Sequence, residues 1–390
     1  VARDSVRIAV VWLAWLGALL ATVGIGLAAG SYHHHVGWYE HQGLWPLFSW
    51  DYNWYELIAR SAYPAHMGGR QYAFFPLWPL LLRSVGTHCD VIVGAAAAWA
   101  ASAAAFFGVS GGLPPVRLRS ALALACWPGS FALALVYPDA LALAAGAWAA
   151  ALALRNRPLA AGVLGAVAAF ARPNGVLIAI PLLWVGRRSV RGWIGAALPL
   201  AAAAMVEAYF WARSDRAAVF FDAQRLWGRG GPRNVPHWIH QIDRLLSNHG
   251  AVIGVFALGA VAALVLAWRR FGPRTAVIAA YACAVVFLLA ATRSLEGFLD
   301  SARAALILPL LVLLWRMGHR YRPWAVFATV VIATLLLSGT MQSFGRQSLF
   351  AFPIFWAIAD GPRWLRSPFL AVAGFAGNVV LVLLLTHFAP

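Results

Sequence analysis

Residues 8–29, IAVVWLAWLGALLATVGIGLAA, run without a single charge. A bilayer core about 30 Å thick takes about 20 helical residues, so this stretch predicts a membrane-spanning helix. It is longer than the apolar core of a secretory leader, roughly 7–15 residues, and reads as a retained anchor. The rest of the chain repeats the pattern. Apolar runs fall near 90–111, 119–136, 138–154, 158–171, 174–186, 192–211, 251–268, 275–291, 304–317, 324–340, 348–360 and 368–387. Hydrophobic residues make up 62% of the 390 positions and charged residues 11%, whereas a soluble domain carries about 25% charged residues. The expectation is an all-α polytopic membrane protein of about 11–13 transmembrane helices, forming one integral unit over residues 1–390.

The formal net charge is +17, and all 30 basic residues are arginine. A nucleic-acid partner does not follow, because the arginines cluster in short connections between apolar runs, the pattern of the positive-inside rule. Those with Arg3 and Arg7, Arg117 and Arg119, Arg155 and Arg157, and Arg187, Arg188 and Arg191 are expected on the cytoplasmic side. So are those with Arg269, Arg270 and Arg274, with Arg316, Arg320 and Arg322, and with Arg363 and Arg366. The alternate connections, including the loops 31–75 and 212–250, then face outward. Most acids fall there too, among them Glu40, Asp51, Glu56, Asp139, Asp215, Asp222, Asp243, Glu296 and Asp300. Glu207 falls within the run 192–211. Cys89, Cys126 and Cys283 are odd in number and imply no disulfide framework.

Ser49–Arg83, SWDYNWYELIARSAYPAHMGGRQYAFFPLWPLLLR, follows the first span. A short helix over roughly Asp51–Ser61 is expected, with Ser49 as its cap. Tyr55 and Ile58 share the Asp51 face, and Trp50, Trp54 and Leu57 lie on another. Asp51 there either stabilises a helix N-terminus or, held in an aromatic setting, takes a proton from a hydroxyl nucleophile. Phe74, Phe75, Pro76 and Pro79 start a short or re-entrant helix against the membrane. The outward arginines are Arg172, Arg225, Arg229, Arg293, Arg303 and Arg346. Arg172 and Arg346, each at an apolar boundary, are suited to a phosphate anion, or alternatively snorkel to lipid headgroups. Asp139 either caps the helix it begins, or orients an acceptor hydroxyl or pairs with an arginine. His33, His34, His35 and His41 do not form a zinc-type ligand set, so no metal or other cofactor is expected. Walker-type, dinucleotide-binding and nucleophile-elbow motifs are absent from the sequence.

Several segments in order resemble the PIG-V-like mannosyltransferases, integral-membrane glycosyltransferases of the GT-C type. They are WDYNWYELIARSAY with AFFPLWPLLLR, CWPGSFALALVYPDAL, ARPNGVL, FFDAQRLWGR and SFGRQSLFAFPIF. Asp139 stands where that family usually has Glu, Pro173 where it has a small polar residue, and Gln347 where it has Tyr. Asp51 is followed by Tyr52 and Asn53, so a paired acid is missing. The resemblance implies an inverting transfer of a sugar, with mannose the family's sugar, from a polyprenyl-phosphate donor to a lipid or glycan hydroxyl at the external face. Asp51 would be the general base. Arg172, Arg346 and Arg225 would hold the donor phosphate, and Trp50, Trp54, Tyr55, Tyr137, Asp139, Asn174 and Gln224 would contact substrate. Arginine richness and compact loops suggest a bacterial plasma membrane. A transporter or flippase of a lipid-linked sugar is the alternative from another class, and a binding scaffold without activity a third.

Overall fold

The computed structural model describes residues 2–30, 45–48, 50–84, 90–112, 117–229, 295–338 and 343–383, with residues 265 and 269. Among these residues every regular element is helical and no strand occurs. The first part runs α1 (Ala2–Ala28), α2 (Asp51–Ser61), α3 (Leu77–Ser84), α4 (Asp90–Gly111) and α5 (Arg117–Ala125). The middle runs α6 (Asp139–Ala153), α7 (Pro158–Ala171), α8 (Ala179–Gly186), α9 (Val190–Ser214) and α10 (Val219–Leu226). The last part holds α11 (Leu295–Arg316), α12 (Gly318–Leu336), α13 (Phe344–Gln347), α14 (Pro353–Asp360) and α15 (Pro368–Leu383).

Among the described residues three helical stretches are long and apolar enough to cross a membrane: Arg3–Ala28, Ile92–Gly111 and Val190–Ser214. Four further apolar stretches, Asp139–Ala153, Pro158–Ala171, Pro173–Gly186 and Pro368–Leu383, are shorter. At 1.5 Å per residue the 14 residues of α7 cover about 21 Å, less than a full bilayer core.

The bundle is built around α6, which packs against α4 on one side and α7 on the other, and α7 packs in turn on α9. Twelve of the 15 residues of α6 are buried, and all but Asp139 and Leu143 of those twelve are alanine or glycine. Lipid tails are as apolar as leucine, so helices associate by close packing of small residues rather than by hydrophobic exclusion. The α7–α9 crossing depends on this. A Cβ placed on Gly162 would lie 2.3 Å from the Gly195 carbonyl oxygen.

Two expected spans are broken. The run 119–136 is helical only to Ala125, and the chain then proceeds through turns and a single 3₁₀ helix, Ser130–Leu133. Pro128 and Gly129 stop the helix, since Gly129 adopts φ 125° and a Cβ there would meet the Gly345 carbonyl oxygen at 2.9 Å. Exposed peptide groups inside an apolar bundle are costly unless protein partners satisfy them. Asn378 of α15 supplies the partners. Its Oδ1 accepts from the Gly129 and Phe131 amides at 3.0 and 3.2 Å. Its Nδ2 donates to the Trp127 and Ala125 carbonyls at 2.9 and 3.3 Å. The run 348–360 likewise divides into a 3₁₀ turn, Ser348–Phe350, and α14, with Pro353 at the helix start. In the opposite sense, α11 begins at Leu295, nine residues ahead of the apolar run 304–317. The runs 251–268 and 275–291 lie outside the described residues apart from 265, as do His33, His34, His35 and His41.

Candidate functional site

The helix expected after the first span is present as α2, Asp51–Ser61, and its cap position is occupied by Trp50. Ser49 lies outside the described residues, and among the described residues no side chain caps the helix. Trp50 has φ 58°, a left-handed conformation that costs a non-glycine residue about 1–3 kcal/mol. Tyr52, Tyr55, Ile58 and Ala59 are buried, while Trp54 and Leu57 are partly exposed. The stem of the loop is tied down beyond α2. The Tyr63 hydroxyl donates to the Phe74 carbonyl at 2.6 Å, and Arg213 Nε on α9 donates to the Tyr63 carbonyl at 3.0 Å. α3 then follows, eight residues long and too short to span.

Asp51 does not serve its own helix end by a side-chain cap. Its Oδ2 lies 2.7 Å from Nη2 of Arg346, on α13 near the other end of the chain. Arg346 also faces Asp139, with Nη1 3.9 Å from Oδ2, and its guanidinium lies over the Tyr137 ring at 5.0 Å. Asp139 Oδ1 accepts from Arg172 Nη1. Two aspartates and two arginines therefore form one chain of charge. It is assembled where α6 begins, where α7 ends, at the start of α2 and on α13. Arg346, Asp139 and Arg172 are 5%, 5% and 13% exposed, but Asp51 retains 25%. Asp51 is thus the most exposed member of the network.

Burial pushes the Asp51 carboxyl up, but Arg346 beside it, with Arg172 and Arg229, outweighs burial and holds it below the usual carboxylate range. Asp51 is a carboxylate across the neutral range. Burial keeps the Tyr55 hydroxyl protonated. Tyr55 stands edge-on to Phe74 at 5.1 Å and feels the charges of Arg172, Asp51 and Asp139.

The other expected residues divide. Tyr137, Asp139, Arg172 and Arg346 meet at the network. Asn174 lies two residues beyond Arg172, in the 3₁₀ segment Pro173–Ile178. Its Oδ1 is buried without a hydrogen-bond partner among the described residues, as are Asp139 Oδ2 and Arg346 Nε. Trp54 stacks on Phe74 at 5.9 Å and meets Trp227 edge-on at 5.5 Å, so protein already uses part of its ring surface. Gln224 contributes its backbone carbonyl to the end of α10. Arg225 does not join the network. It is 63% exposed and pairs with Asp222 at 3.0 Å, one helical turn away.

Arg229, four residues on, carries a charge that lowers the Asp51 carboxyl. Gly228, at φ 73°, ends α10, with its amide donating to the Arg225 carbonyl at 3.0 Å and the Arg229 amide to the Gln224 carbonyl at 2.9 Å. That is the Schellman pattern of a glycine stop. It leaves Arg225 on the helix beside Asp222 and carries Arg229 off it. Burial, reinforced by Arg346 and Arg172, lowers the Arg229 guanidinium to about 10, against a pull from Asp51. The signal was the Gly in Trp227-Gly228-Arg229, a C-terminal stop just before an arginine.

Glu56 is fully buried and pairs with Arg60 at 2.8 Å, one helical turn away. Arg303 is buried on α11 under α13, where a Cβ on Gly345 would meet its guanidinium. Among the described residues no group of three His, Cys, Asp or Glu side chains could hold a metal ion. Searches of protein-family models and of curated proteins find no match to this chain.

Proposed function

We propose that this chain is an integral-membrane glycosyltransferase of the GT-C type, with its site at the external face of a bacterial plasma membrane. It would take a sugar, mannose by the sequence resemblance, from a polyprenyl-phosphate donor and pass it to a lipid or glycan hydroxyl. The observation that carries this reading is the Asp51–Arg346 pair: an accessible carboxylate 2.7 Å from a buried guanidinium. The pair joins segments far apart in the chain, α2 and α13. A general base and an anion-stabilising cation in contact are the two functions the transfer requires.

In the proposed step the acceptor hydroxyl oxygen attacks the anomeric carbon from the face opposite the phosphate. Asp51 receives the hydroxyl proton. The bond from the anomeric carbon to the phosphate oxygen breaks, its electron pair leaves with that oxygen, and polyprenyl phosphate is released. The configuration at the anomeric carbon inverts. The phosphate needs no proton to depart, so one carboxylate suffices. Polar atoms on Asp139, Arg346 and Asn174 that have no hydrogen-bond partner among the described residues support a polar ligand here, since buried groups of this kind ordinarily find partners.

The test is incubation of the purified protein in nanodiscs with labelled polyprenyl-phosphate-mannose and a panel of lipid and glycan acceptors. Labelled acceptor product is the expected result. Donor appearing in the opposite leaflet of vesicles, with no product from any acceptor, would establish the flippase instead.

A further inference from the structure

We propose that Asn378 is a positioning residue for the Asp51–Arg346 pair: it holds the break after Ala125 against the peptide that precedes Arg346, and so fixes the guanidinium beside Asp51. The placement stands on contacts within the chain, and its consequence for transfer rests on the glycosyltransferase reading above.

A helix continued through 119–136 would satisfy its own peptide groups. The chain instead breaks at Pro128 and Gly129 and needs Asn378, fully buried on α15, to satisfy the amides of Gly129 and Phe131 and the carbonyls of Ala125 and Trp127. Two indoles brace the same segment. Trp15 of α1 donates to the Ser130 hydroxyl at 3.2 Å, and Trp99 of α4 donates to the Ala134 carbonyl at 3.0 Å.

What the break provides is a fixed seat for Arg346. Gly129 abuts the Gly345 carbonyl so closely that an added Cβ would lie 2.9 Å from its oxygen. The Ser348 hydroxyl donates to that carbonyl at 3.0 Å. Gly345 is confined at its Cα as well, because a Cβ there would collide with the buried Arg303 guanidinium. Arg346 is the next residue. The broken segment meets it a second time through Tyr137, whose ring lies under the guanidinium at 5.0 Å. Asn378 therefore acts on Arg346 through the peptide before it and through the ring beneath it. Arg346 touches Asp51 at 2.7 Å and, with Arg172 and Arg229, opposes the burial of its carboxyl. Asp139, Tyr55 and Tyr137 are the other titratable groups around Asp51 among the described residues. If the Gly129–Gly345 contact loosens, the guanidinium withdraws, burial dominates, and Asp51 takes up a proton more readily.

The test uses the full chain in nanodiscs with a water-soluble carbodiimide and glycinamide at mildly acidic pH, where the protonated carboxyl is the form activated. Amide formation at Asp51 is read by mass spectrometry, with the surface carboxylate Asp222 on the same molecules as reference. Asn378→Leu should speed labelling of Asp51 on the order of 3- to 10-fold, the rise in protonated fraction for about 0.5–1 pH unit, which is what ~1 Å of added separation between the charges is worth near a protein surface. Asn378→Gln, which keeps both amide functions, should gain less. Gly129→Ala, which pushes on the Gly345 carbonyl with Asn378 intact, should reproduce the gain. If Asn378→Leu fails to fold, these two variants decide. Arg346→Gln should give the largest gain, and Asn378→Leu should add nothing to it. Unchanged labelling of Asp51 in the folded variants overturns the proposal. A gain from Asn378→Leu that persists in the Arg346→Gln background would mean general loosening and overturn it equally. Faster labelling in a protein that transfers no sugar to any acceptor removes the proposed enzyme and leaves the positioning role standing.

Discussion

At the scale of single residues, the charge state of Asp51 is set by what opposes its burial. Arg346 holds its carboxyl below the ordinary aspartate value, which is about 3.9. The proposed base is therefore competent down to pH values where a free aspartate would begin to protonate. The same depression makes Asp51 contribute stability above the unfolded value, lost as pH falls through the folded one. Replacing Arg346 with Gln removes the main opposing charge and leaves burial dominant. The acid limb of the kcat/KM profile should then move to higher pH, along with a fall in the maximum; an unmoved limb would detach Asp51 from that titration. Asp139 has a different character, because both of its oxygens face arginines inside the protein. Asp139→Asn leaves buried guanidiniums short of a counter-charge, and breaking such a pair costs about 3–5 kcal/mol. A clear fall in Tm, measured in detergent, is the expected result.

At the scale of elements, the sequence told helix from loop where apolar runs were uninterrupted and erred where packing overrode them. α2 was legible from residue types alone. Asp and Asn open it, its buried positions recur at helical spacing, and its bounds match the expected ones. Its partner Arg346 was legible as an arginine at an apolar boundary but not as a contact, since nothing local to Arg346 names Asp51. The break after Ala125 was hidden because Phe131–Val136 is as apolar as any span. Its peptide groups are satisfied by Asn378, far along the chain. Asn378→Leu removes those four hydrogen bonds and leaves buried amides and carbonyls unpaired. Destabilisation of at least about 2 kcal/mol is expected, read as a lower Tm, whereas Asn378→Gln should lose less. A leucine variant with unchanged Tm would mean that water serves the break as well as Asn378 does.

At the scale of the whole molecule, the account needs the Asp51–Arg346 network to face outward and to do chemistry there. His66 lies in the exposed loop after α2, and Arg187 lies in the exposed turn between α8 and α9. In a background with Cys89, Cys126 and Cys283 replaced, His66→Cys should react with an impermeant maleimide added to intact cells. Arg187→Cys should react only after the cells are opened, and the reverse pattern would invert the proposed topology. The most direct test of the central claim is the rate of sugar transfer by Asp51→Asn beside wild type, with farnesyl phosphate binding measured on the same samples. Retained binding and a rate reduced by about 10²–10⁴-fold, the usual contribution of a general base, are expected. Near-normal transfer by a folded, binding-competent Asp51→Asn protein would contradict that claim.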